Sequence, residues 1–234
     1  MFTVLKRTLR QLRLVLKGPK PVDRFLARAR GVIHVGANTG QERDLYWRFR
    51  LPVLWVEPIP EVFATLQKNL IGYPNQRAIQ RLVTHEDGAE CQFNVSSNNG
   101  QSSSILPLHE HRAVWPGVSY ARAVMLRTVT LPTLLREEGV DATRYDTLVM
   151  DTQGSELLVL QGAEPLLAGL RFIKAEAPDF ESYKGCCRLA DLDAFLTARG
   201  FRELAKQRFP VSAEGKNYYD VVYEREIIPS HSPT

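Results

Sequence analysis

From Gly31 onward, the sequence alternates between short apolar runs and longer segments that carry apolar residues at helical spacing. The runs TLVMD and PVLWVE lack the alternation of apolar and polar residues that a half-exposed strand shows. Such runs are typical of a parallel sheet whose strands are covered by helices on both faces. The sequence therefore predicts an α/β fold with a mostly parallel sheet and helices on either side.

The predicted strands and helices follow one another in regular order. Strands are predicted at 32–35, 53–57, 78–83, 90–95, 126–130, 147–151, 171–176, 201–207 and 218–224, and helices at 41–49, 60–70, 131–138, 155–168 and 188–199. Only about ten residues, FPVSAEGKNY, join the last two strands, which is too short for a helical crossover. We therefore expect these two strands to form an antiparallel hairpin.

One long connection, residues 96–125, interrupts this order. Its first half is rich in Ser, Asn and Gly, and its second half carries histidines and aromatic residues. Connections of this length in a compact domain are usually functional or disordered. We expect this segment to lie over the carboxyl edge of the sheet.

Basic charge is concentrated in the first 30 residues, which contain nine Lys or Arg residues and a single acid, Asp23. Leu5, Leu9, Leu12 and Leu16 follow helical spacing there, so a basic amphipathic helix is predicted. Such a helix can lie on anionic lipid or on a charged lipid-linked substrate, or it can dock on its own domain or on a second subunit. The rest of the chain is mildly acidic, so a nucleic-acid interface over the whole domain is not expected.

Composition also indicates domain limits and compartment. The predicted parts are a basic arm at 1–30, one domain at 31–226 and a polar tail at 227–234. Cys91, Cys186 and Cys187 make a poor disulfide framework, which favours a reducing, cytoplasmic location, with the arm able to touch the inner face of the membrane. No signal peptide and no bilayer-spanning run are visible. No metal site is predicted, because the histidines and cysteines lack ligand spacing.

The stretch GVIHVGANTGQE leaves the first strand through Gly36, Asn38 and Gly40 and then enters a helix. A strand, a glycine-spaced loop and a helix are typical of a nucleotide site in an α/β sheet. A dinucleotide fingerprint needs three glycines at G-x-G-x-x-G spacing, and Asn38 and Gln41 stand in two of those positions. Glu57 ends the next strand, where a carboxylate can accept hydrogen bonds from a ribose diol. This pairing favours a nucleoside with an attached amino acid, such as S-adenosylmethionine.

Several linked motifs carry a family resemblance. They are VIHVGANTGQE, WVEPIPEVFATLQKN, FNVSSNNGQSSSIL and TLVMDTQGSELLVLQGAEPLL followed by FIKAEAP. In this order they resemble the FkbM family of S-adenosylmethionine-dependent methyltransferases. The resemblance implies a class I methyltransferase (Rossmann-like) fold, whose seven-stranded sheet contains one antiparallel strand. It also implies methylation of hydroxyls on sugars or polyketides.

The same resemblance implies roles for individual positions. Gly36, Asn38 and Gly40 would form the cofactor loop, and Glu57 would hold the ribose. Thr84 would lie near the adenine, and His34 stands where many family members carry an acid. Ser103 in the serine-rich motif would either bond the cofactor or the acceptor, or only complete the hydrogen bonds of its own loop. These positions, together with Asp151, are the candidate cofactor-binding residues.

Candidate catalytic residues come from the second half of the chain and from the long connection. Asp151 ends a predicted strand at the edge where ligands bind, and it is the first candidate for a base that activates or orients a hydroxyl. Glu156 either joins this site or stabilises the start of its helix. Glu176 either faces the acceptor or pairs with a lysine. His109 and His111 are bases, substrate ligands or solvated loop residues.

The sequence thus predicts an S-adenosylmethionine-dependent O-methyltransferase that acts on a hydroxyl of a saccharide, a glycolipid or a related natural product. One alternative is a nicotinamide-dependent sugar-modifying enzyme, and another is a non-catalytic binding protein with this fold. Carboxylates could also hold a hard cation, although their spacing is unspecific. Whether the chain forms a homo-oligomer stays open.

Overall fold

The computed structural model describes residues 18–212 and 215–226 of the chain. Its strands are β1 (Val32–Val35), β2 (Val53–Val56), β3 (Gln76–Ile79), β4 (Leu82–Val83), β5 (Glu90–Ser96), β6 (Tyr120–Val129), β7 (Thr147–Met150), β8 (Phe172–Pro178), β9 (Phe201–Pro210) and β10 (Asn217–Arg225). Its α-helices are α1 (Arg43–Arg48), α2 (Pro60–Leu70), α3 (His111–Val114), α4 (Leu131–Glu137), α5 (Glu156–Gly162), α6 (Glu164–Leu167) and α7 (Leu189–Thr197). Two 3₁₀ helices cover Pro21–Arg28 and Ala142–Arg144.

The main sheet has seven strands in the order β3-β2-β1-β7-β8-β10-β9. Five of them, from β3 to β8, pair in parallel. β10 runs antiparallel to both of its neighbours, β8 and β9. The mostly parallel sheet and the antiparallel hairpin at the C-terminal end are therefore confirmed, with β10 as the one reversed strand.

The central strands are buried on both faces, as their composition predicts. Every residue of β1, β2 and β7 is buried. On one face, Ile33 and Val35 pack in a core to which α4, α5 and α7 contribute. On the other face, Val32 packs in a second core with side chains from α1 and α2. Because successive side chains of a strand point to opposite faces, one apolar run serves both cores.

The predicted strand at 78–83 is wrong in one respect, because the chain divides it between two sheets. β3 ends at Ile79 in the main sheet, and β4 begins at Leu82 in a small sheet of order β4-β6-β5. β6 is also longer than the predicted strand at 126–130. Its first half is largely exposed and therefore lacks the apolar run by which the sequence marks a buried strand.

The 3₁₀ helix Pro21–Arg28 packs against the sheet, although the sequence assigns it to the basic arm. Val22, Phe25 and Leu26 are buried in the second core. The predicted amphipathic stretch at 1–17 and the tail at 227–234 lie outside the described residues. No helix in residues 18–212 and 215–226 is long and apolar enough to cross a membrane.

Candidate active site

A cavity of about 360 Å³, here called the first cavity, opens at the carboxyl edge of the main sheet. Gly36 follows β1, Glu57 follows β2, Asp151 follows β7, and Glu176 lies near the end of β8. Sheet order brings these four residues together, because β2, β1, β7 and β8 are consecutive neighbours. Ligands of open α/β sheets bind at this edge, and the volume is in the range of small-molecule sites.

The loop after β1 turns through three residues with positive φ, namely Gly36 at 82°, Asn38 at 44° and Gly40 at 72°. A Cβ on Gly36 would lie 1.9 Å from the backbone oxygen of Asp151, and a Cβ on Gly40 would lie 2.7 Å from Cδ1 of Leu66. Both positions therefore need glycine because of contacts within the protein, whether or not a ligand is bound. Gly36 and Asn38 line the first cavity, whereas Gly40 makes room for helix α2.

Glu57 is a buried carboxylate of the first cavity, with only 4% of its surface exposed. Its Oε2 accepts a hydrogen bond from the backbone N–H of Asn38 at 2.8 Å, and its Oε1 accepts one from Ile59 at 2.9 Å. Burial raises the pKa of Glu57 to about 7, although these two hydrogen bonds act in the opposite direction. Each carboxylate oxygen has two lone pairs, so acceptor capacity remains for the two hydroxyls of a ribose.

Apolar side chains also form part of the wall of the first cavity. They are Ile59, Leu82, Val83 and Phe93. Thr84, which is predicted near the adenine, lies outside the lining of the cavity. Its N–H donates to the backbone oxygen of Val129 at 3.0 Å, and its hydroxyl donates to that of Glu86 at 3.3 Å.

The serine-rich stretch forms a hydrogen-bonded loop beside the first cavity. Oγ of Ser103 accepts from the backbone N–H of Ser96 at 2.9 Å, and Oγ of Ser104 donates to the backbone oxygen of Gln153 at 2.8 Å. Ser102 and Ser103 line the cavity, and Ser104 is fully buried behind it. These bonds hold the long connection over the sheet edge, which is the place that the sequence predicts for it.

Asp151 and Glu176 supply two further carboxyl groups to the lining of the first cavity. Oδ1 of Asp151 accepts a hydrogen bond from Nε2 of Gln153 at 2.6 Å. Asp151 is exposed to the space of the cavity, but protein surrounds that space. This burial raises the pKa of Asp151 to about 7. Burial and then the charge of Asp151 raise the pKa of Glu176 well above its ordinary value. At neutral pH the pair therefore carries less than its full negative charge.

Glu156 serves the loop rather than the lining of the first cavity. It is 1% exposed, and its carboxylate accepts from the backbone N–H groups of Thr152 at 2.8 Å and Gly154 at 3.0 Å. The thiol of Cys187 donates to it at 3.4 Å. Of the two alternatives for Glu156, the geometry agrees with the acid that stabilises the turn before helix α5.

The predicted histidines occupy different environments. His34 is buried, its Nδ1 lies 3.0 Å from the hydroxyl of Tyr46, and its ring stacks on Trp55 at 4.8 Å. Burial, and then the charge of Lys174, lower its pKa to about 3, so its ring is neutral. His109 is exposed, with Nδ1 3.1 Å from the backbone oxygen of Glu181, and lies outside the first cavity. His34 also lies outside that lining.

His111, which the sequence pairs with His109 as an alternative, lines the first cavity together with Trp115 and Tyr218. Its ring centroid lies 4.6 Å from that of Trp115, which in turn lies 5.5 Å from that of Tyr218. Tyr218 has no signal in the sequence, because it belongs to the final hairpin. Only the return of β10 next to β8 brings it to the site.

A second cleft of about 530 Å³ adjoins the first cavity. Both are lined by Gln41, Trp115, Asp151, Glu176 and Tyr218. Lys174 also lines the second cleft, and its Nζ donates to Oδ1 of Asp23 at 2.8 Å and lies 3.6 Å from Oδ2 of Asp220. Burial alone would lower the pKa of Lys174, but the nearby carboxylates of Asp220 and Asp23 outweigh it and raise the pKa.

The residues of the first cavity fit S-adenosylmethionine. The buried carboxylate of Glu57 suits a ribose diol, the apolar wall suits a purine, and the acidic side with Asp151 suits a cationic sulfonium and amine. Across the described ranges 18–212 and 215–226, no group of three His, Cys, Asp or Glu side chains is arranged to hold a metal ion.

Comparisons with known proteins give a family and structures of similar fold. The sequence matches the Methyltransferase FkbM domain over residues 34–203. A search of curated proteins found no match. Among solved structures, the METTL16 MTase domain superposes with a TM-score of 0.51 at 12% identity, over 88% of this chain and 65% of that chain. A putative tRNA (m1A22) methyltransferase from Streptococcus pneumoniae, solved in complex with S-adenosyl-L-methionine, has a TM-score of 0.47 at 13% identity, over 91% of this chain and 77% of that chain.

The match covers most of the chain, and the seven-stranded sheet with one reversed strand is the arrangement that the family resemblance implies. The nicotinamide-dependent alternative is therefore replaced. The chain belongs to the FkbM methyltransferase family and is an S-adenosylmethionine-dependent methyltransferase.

Proposed function

We propose that this enzyme is an O-methyltransferase whose acceptor is a hydroxyl of a saccharide, a glycolipid or a related natural product. The observation that supports this most strongly is the junction of the two cavities. Asp151 and Glu176 line both, so a hydroxyl that enters from the second cleft meets carboxyl groups where it reaches the first cavity. The first cavity would hold the cofactor, and the second cleft would hold the body of the acceptor.

The walls of the second cleft support a saccharide acceptor. Trp115 is 38% exposed and lines both spaces, and Tyr218 lies next to it. Aromatic rings offer broad apolar contact, while Gln41, Asp151 and Glu176 offer hydrogen bonds to hydroxyl groups. A polyhydroxylated ring with one apolar face satisfies both kinds of wall.

The chain's own residues would position the reactants. S-adenosylmethionine supplies an electrophilic methyl group on a sulfonium. Glu57 would fix the ribose, and the apolar wall with Phe93 would receive the adenine. Asp151 would orient the acceptor hydroxyl, because in-line transfer needs the oxygen within about 3–3.5 Å of the methyl carbon.

The test uses the full chain, S-adenosylmethionine carrying a labelled methyl group, and polysaccharide and glycolipid fractions. We expect the acceptor to gain the mass of one methyl group on an oxygen, and Asp151→Asn to lower that rate. Label found on nitrogen or carbon would contradict the proposal. Calorimetric binding of S-adenosylhomocysteine without turnover on any fraction would favour the non-catalytic alternative.

A lipid-linked acceptor and contact with the inner face of the membrane are a further part of this proposal. Their support is the basic amphipathic pattern at 1–17, which lies outside the described residues. We expect the full chain to sediment with vesicles that contain phosphatidylglycerol and not with pure phosphatidylcholine vesicles. A variant with Leu9→Ser and Leu12→Ser should lose this binding. Equal binding by the wild type and this variant would contradict membrane contact through the amphipathic stretch.

A further inference from the structure

Two buried side-chain atoms among the described residues lack a hydrogen-bond partner, Nδ1 of His111 and Oγ1 of Thr152. Buried polar atoms are nearly always paired, because an unpaired one has lost its hydrogen bonds to water without replacing them. Both residues line the first cavity. Their position indicates that a bound molecule completes their hydrogen bonds.

The protein holds the ring of His111 firmly at this position. The residue is 2% exposed, and its ring lies against Trp115 at 4.6 Å and against Tyr183 at 5.2 Å between centroids. Its backbone N–H donates to the backbone oxygen of Ser182 at 3.0 Å. Packing therefore fixes the imidazole in place, but none of the described residues forms a hydrogen bond with its Nδ1.

The chemical state of this imidazole suits proton acceptance. Burial lowers the pKa of His111 to about 4, so the ring is neutral at pH 7 and one of its nitrogens carries a lone pair. A weak base is sufficient in this reaction, because an alcohol oxygen becomes strongly acidic as it bonds to the methyl carbon.

We propose that His111 is the general base of the methyl transfer, a catalytic residue that takes the proton of the acceptor hydroxyl while Thr152 hydrogen-bonds the same group. The new bond joins the acceptor oxygen to the methyl carbon, the carbon–sulfur bond breaks, and its electron pair stays on sulfur. The hydroxyl proton moves to the imidazole nitrogen and then leaves to water. This inference rests on the proposed O-methyltransferase function.

The decisive variant is His111→Phe, which keeps a ring between Trp115 and Tyr183 and removes both nitrogens. Since Nδ1 has no hydrogen-bond partner among the described residues, its loss should leave the melting temperature equal or higher. We expect kcat to fall by about 10²–10⁴-fold, which is the usual contribution of a general base. The Kd of S-adenosylhomocysteine should stay unchanged. His85→Phe, at an exposed histidine outside the first cavity, is the matched control and should keep full activity.

A second readout separates catalysis from packing. In histidine labelled with nitrogen-15, the Nδ1 resonance of His111 should shift when the purified acceptor joins the complex with S-adenosylhomocysteine. Wild-type methylation together with full activity of His111→Phe, or an unmoved resonance, would overturn the assignment of His111 alone. Failure of the wild type to methylate any hydroxyl would overturn the proposed function and this inference together.

Discussion

The backbone oxygen of Asp151 lies 1.9 Å from the point at which a Cβ on Gly36 would stand. These residues directly follow the parallel neighbours β1 and β7, and the N–H of Asp151 donates to the backbone oxygen of Val35 at 3.0 Å. The backbone of Asp151, which carries the candidate catalytic carboxyl, thus lies directly against the loop after β1 because Gly36 has no side chain. The absence of a Cβ at Gly36 therefore lets the loop after β1 and the loop after β7 pack against each other.

Gly36→Ala should therefore cost much more stability than positive φ alone explains. Gly88 is the matched control, since its φ of 77° resembles the 82° of Gly36 and a Cβ there would meet nothing within 4 Å. We expect Gly88→Ala to lower the free energy of unfolding by about 1–2 kcal/mol. Gly36→Ala should lower it by about 3 kcal/mol or more and reduce affinity for S-adenosylhomocysteine. Urea unfolding and calorimetry measure both, and equal costs at the two positions would refute the clash.

The pKa of Glu57 predicts how stability changes with pH in the absence of cofactor. Burial raises it from the ordinary 4.5 to about 7, so the folded protein binds this proton more tightly than the unfolded chain. Stability from this group is greatest below pH 4.5 and is lost as the pH rises toward 7. The loss is on the order of 3 kcal/mol, from about 1.4 kcal/mol per pKa unit.

Glu57→Gln isolates this contribution. The difference in unfolding free energy between wild type and variant should fall as the pH rises from 4.5 to 7 and stay constant above that. Taking the difference removes the separate contributions of Asp151 and Glu176, which also titrate with raised pKa values, and leaves the direct interaction between Glu57 and Asp151 within the measured difference. Denaturant titrations at several pH values provide the measurement. A difference that does not change with pH would show that Glu57 ionises as it would in water.

Lys174 ties the 3₁₀ helix to the sheet through Asp23. Its side chain is 17% exposed and that of Asp23 is 10% exposed, so Lys174→Met leaves two acids, Asp23 and Asp220, without their buried cation. We expect a loss of about 3 kcal/mol in the free energy of unfolding, because an unpaired buried charge is costly. Adding Asp23→Asn should recover part of this loss, which thermal or urea unfolding of the double variant will show.

The control for this pair is Lys206, which bonds Glu203 on the exposed surface of β9. Surface pairs contribute little, so Lys206→Met should change stability by less than about 1 kcal/mol. Equal losses of unfolding free energy for Lys174→Met and Lys206→Met would show that water screens Lys174 as well. The docking of the 3₁₀ helix would then depend on its apolar residues.

Asp151 and Glu156 should separate activity from stability. Glu156 holds the backbone N–H groups of Thr152 and Gly154, so Glu156→Gln should lower the melting temperature by several degrees. In the described part of the chain, the carboxyl group of Asp151 has one hydrogen-bond partner, Gln153, so Asp151→Asn should preserve the melting temperature and lower the methyl-transfer rate. Differential scanning calorimetry and a methylation assay on both variants check this. The reverse pattern would exchange the two roles.

The sequence was sufficient to predict the arrangement of the sheet and most of the residues proposed to bind the cofactor. Apolar runs such as TLVMD mark strands that are buried on both faces, and chain order with right-handed crossovers then brings Gly36, Glu57 and Asp151 to one edge. The same reasoning failed at 78–83, because a short polar step between two apolar pairs gives no sign that the chain changes sheets.

What the sequence by itself determined is therefore the set of elements and the edge at which they meet, since both follow from local periodicity and strand direction. Only the tertiary structure decided which polar residues face the cavity. The carboxylate of Glu156 bonds the turn before helix α5, and His109 lies at the surface. His111 and Tyr218 line the first cavity. The physical reason is that burial and hydrogen-bond pairing depend on residues distant in the chain, and a side chain's neighbours across the fold are not written in its local pattern.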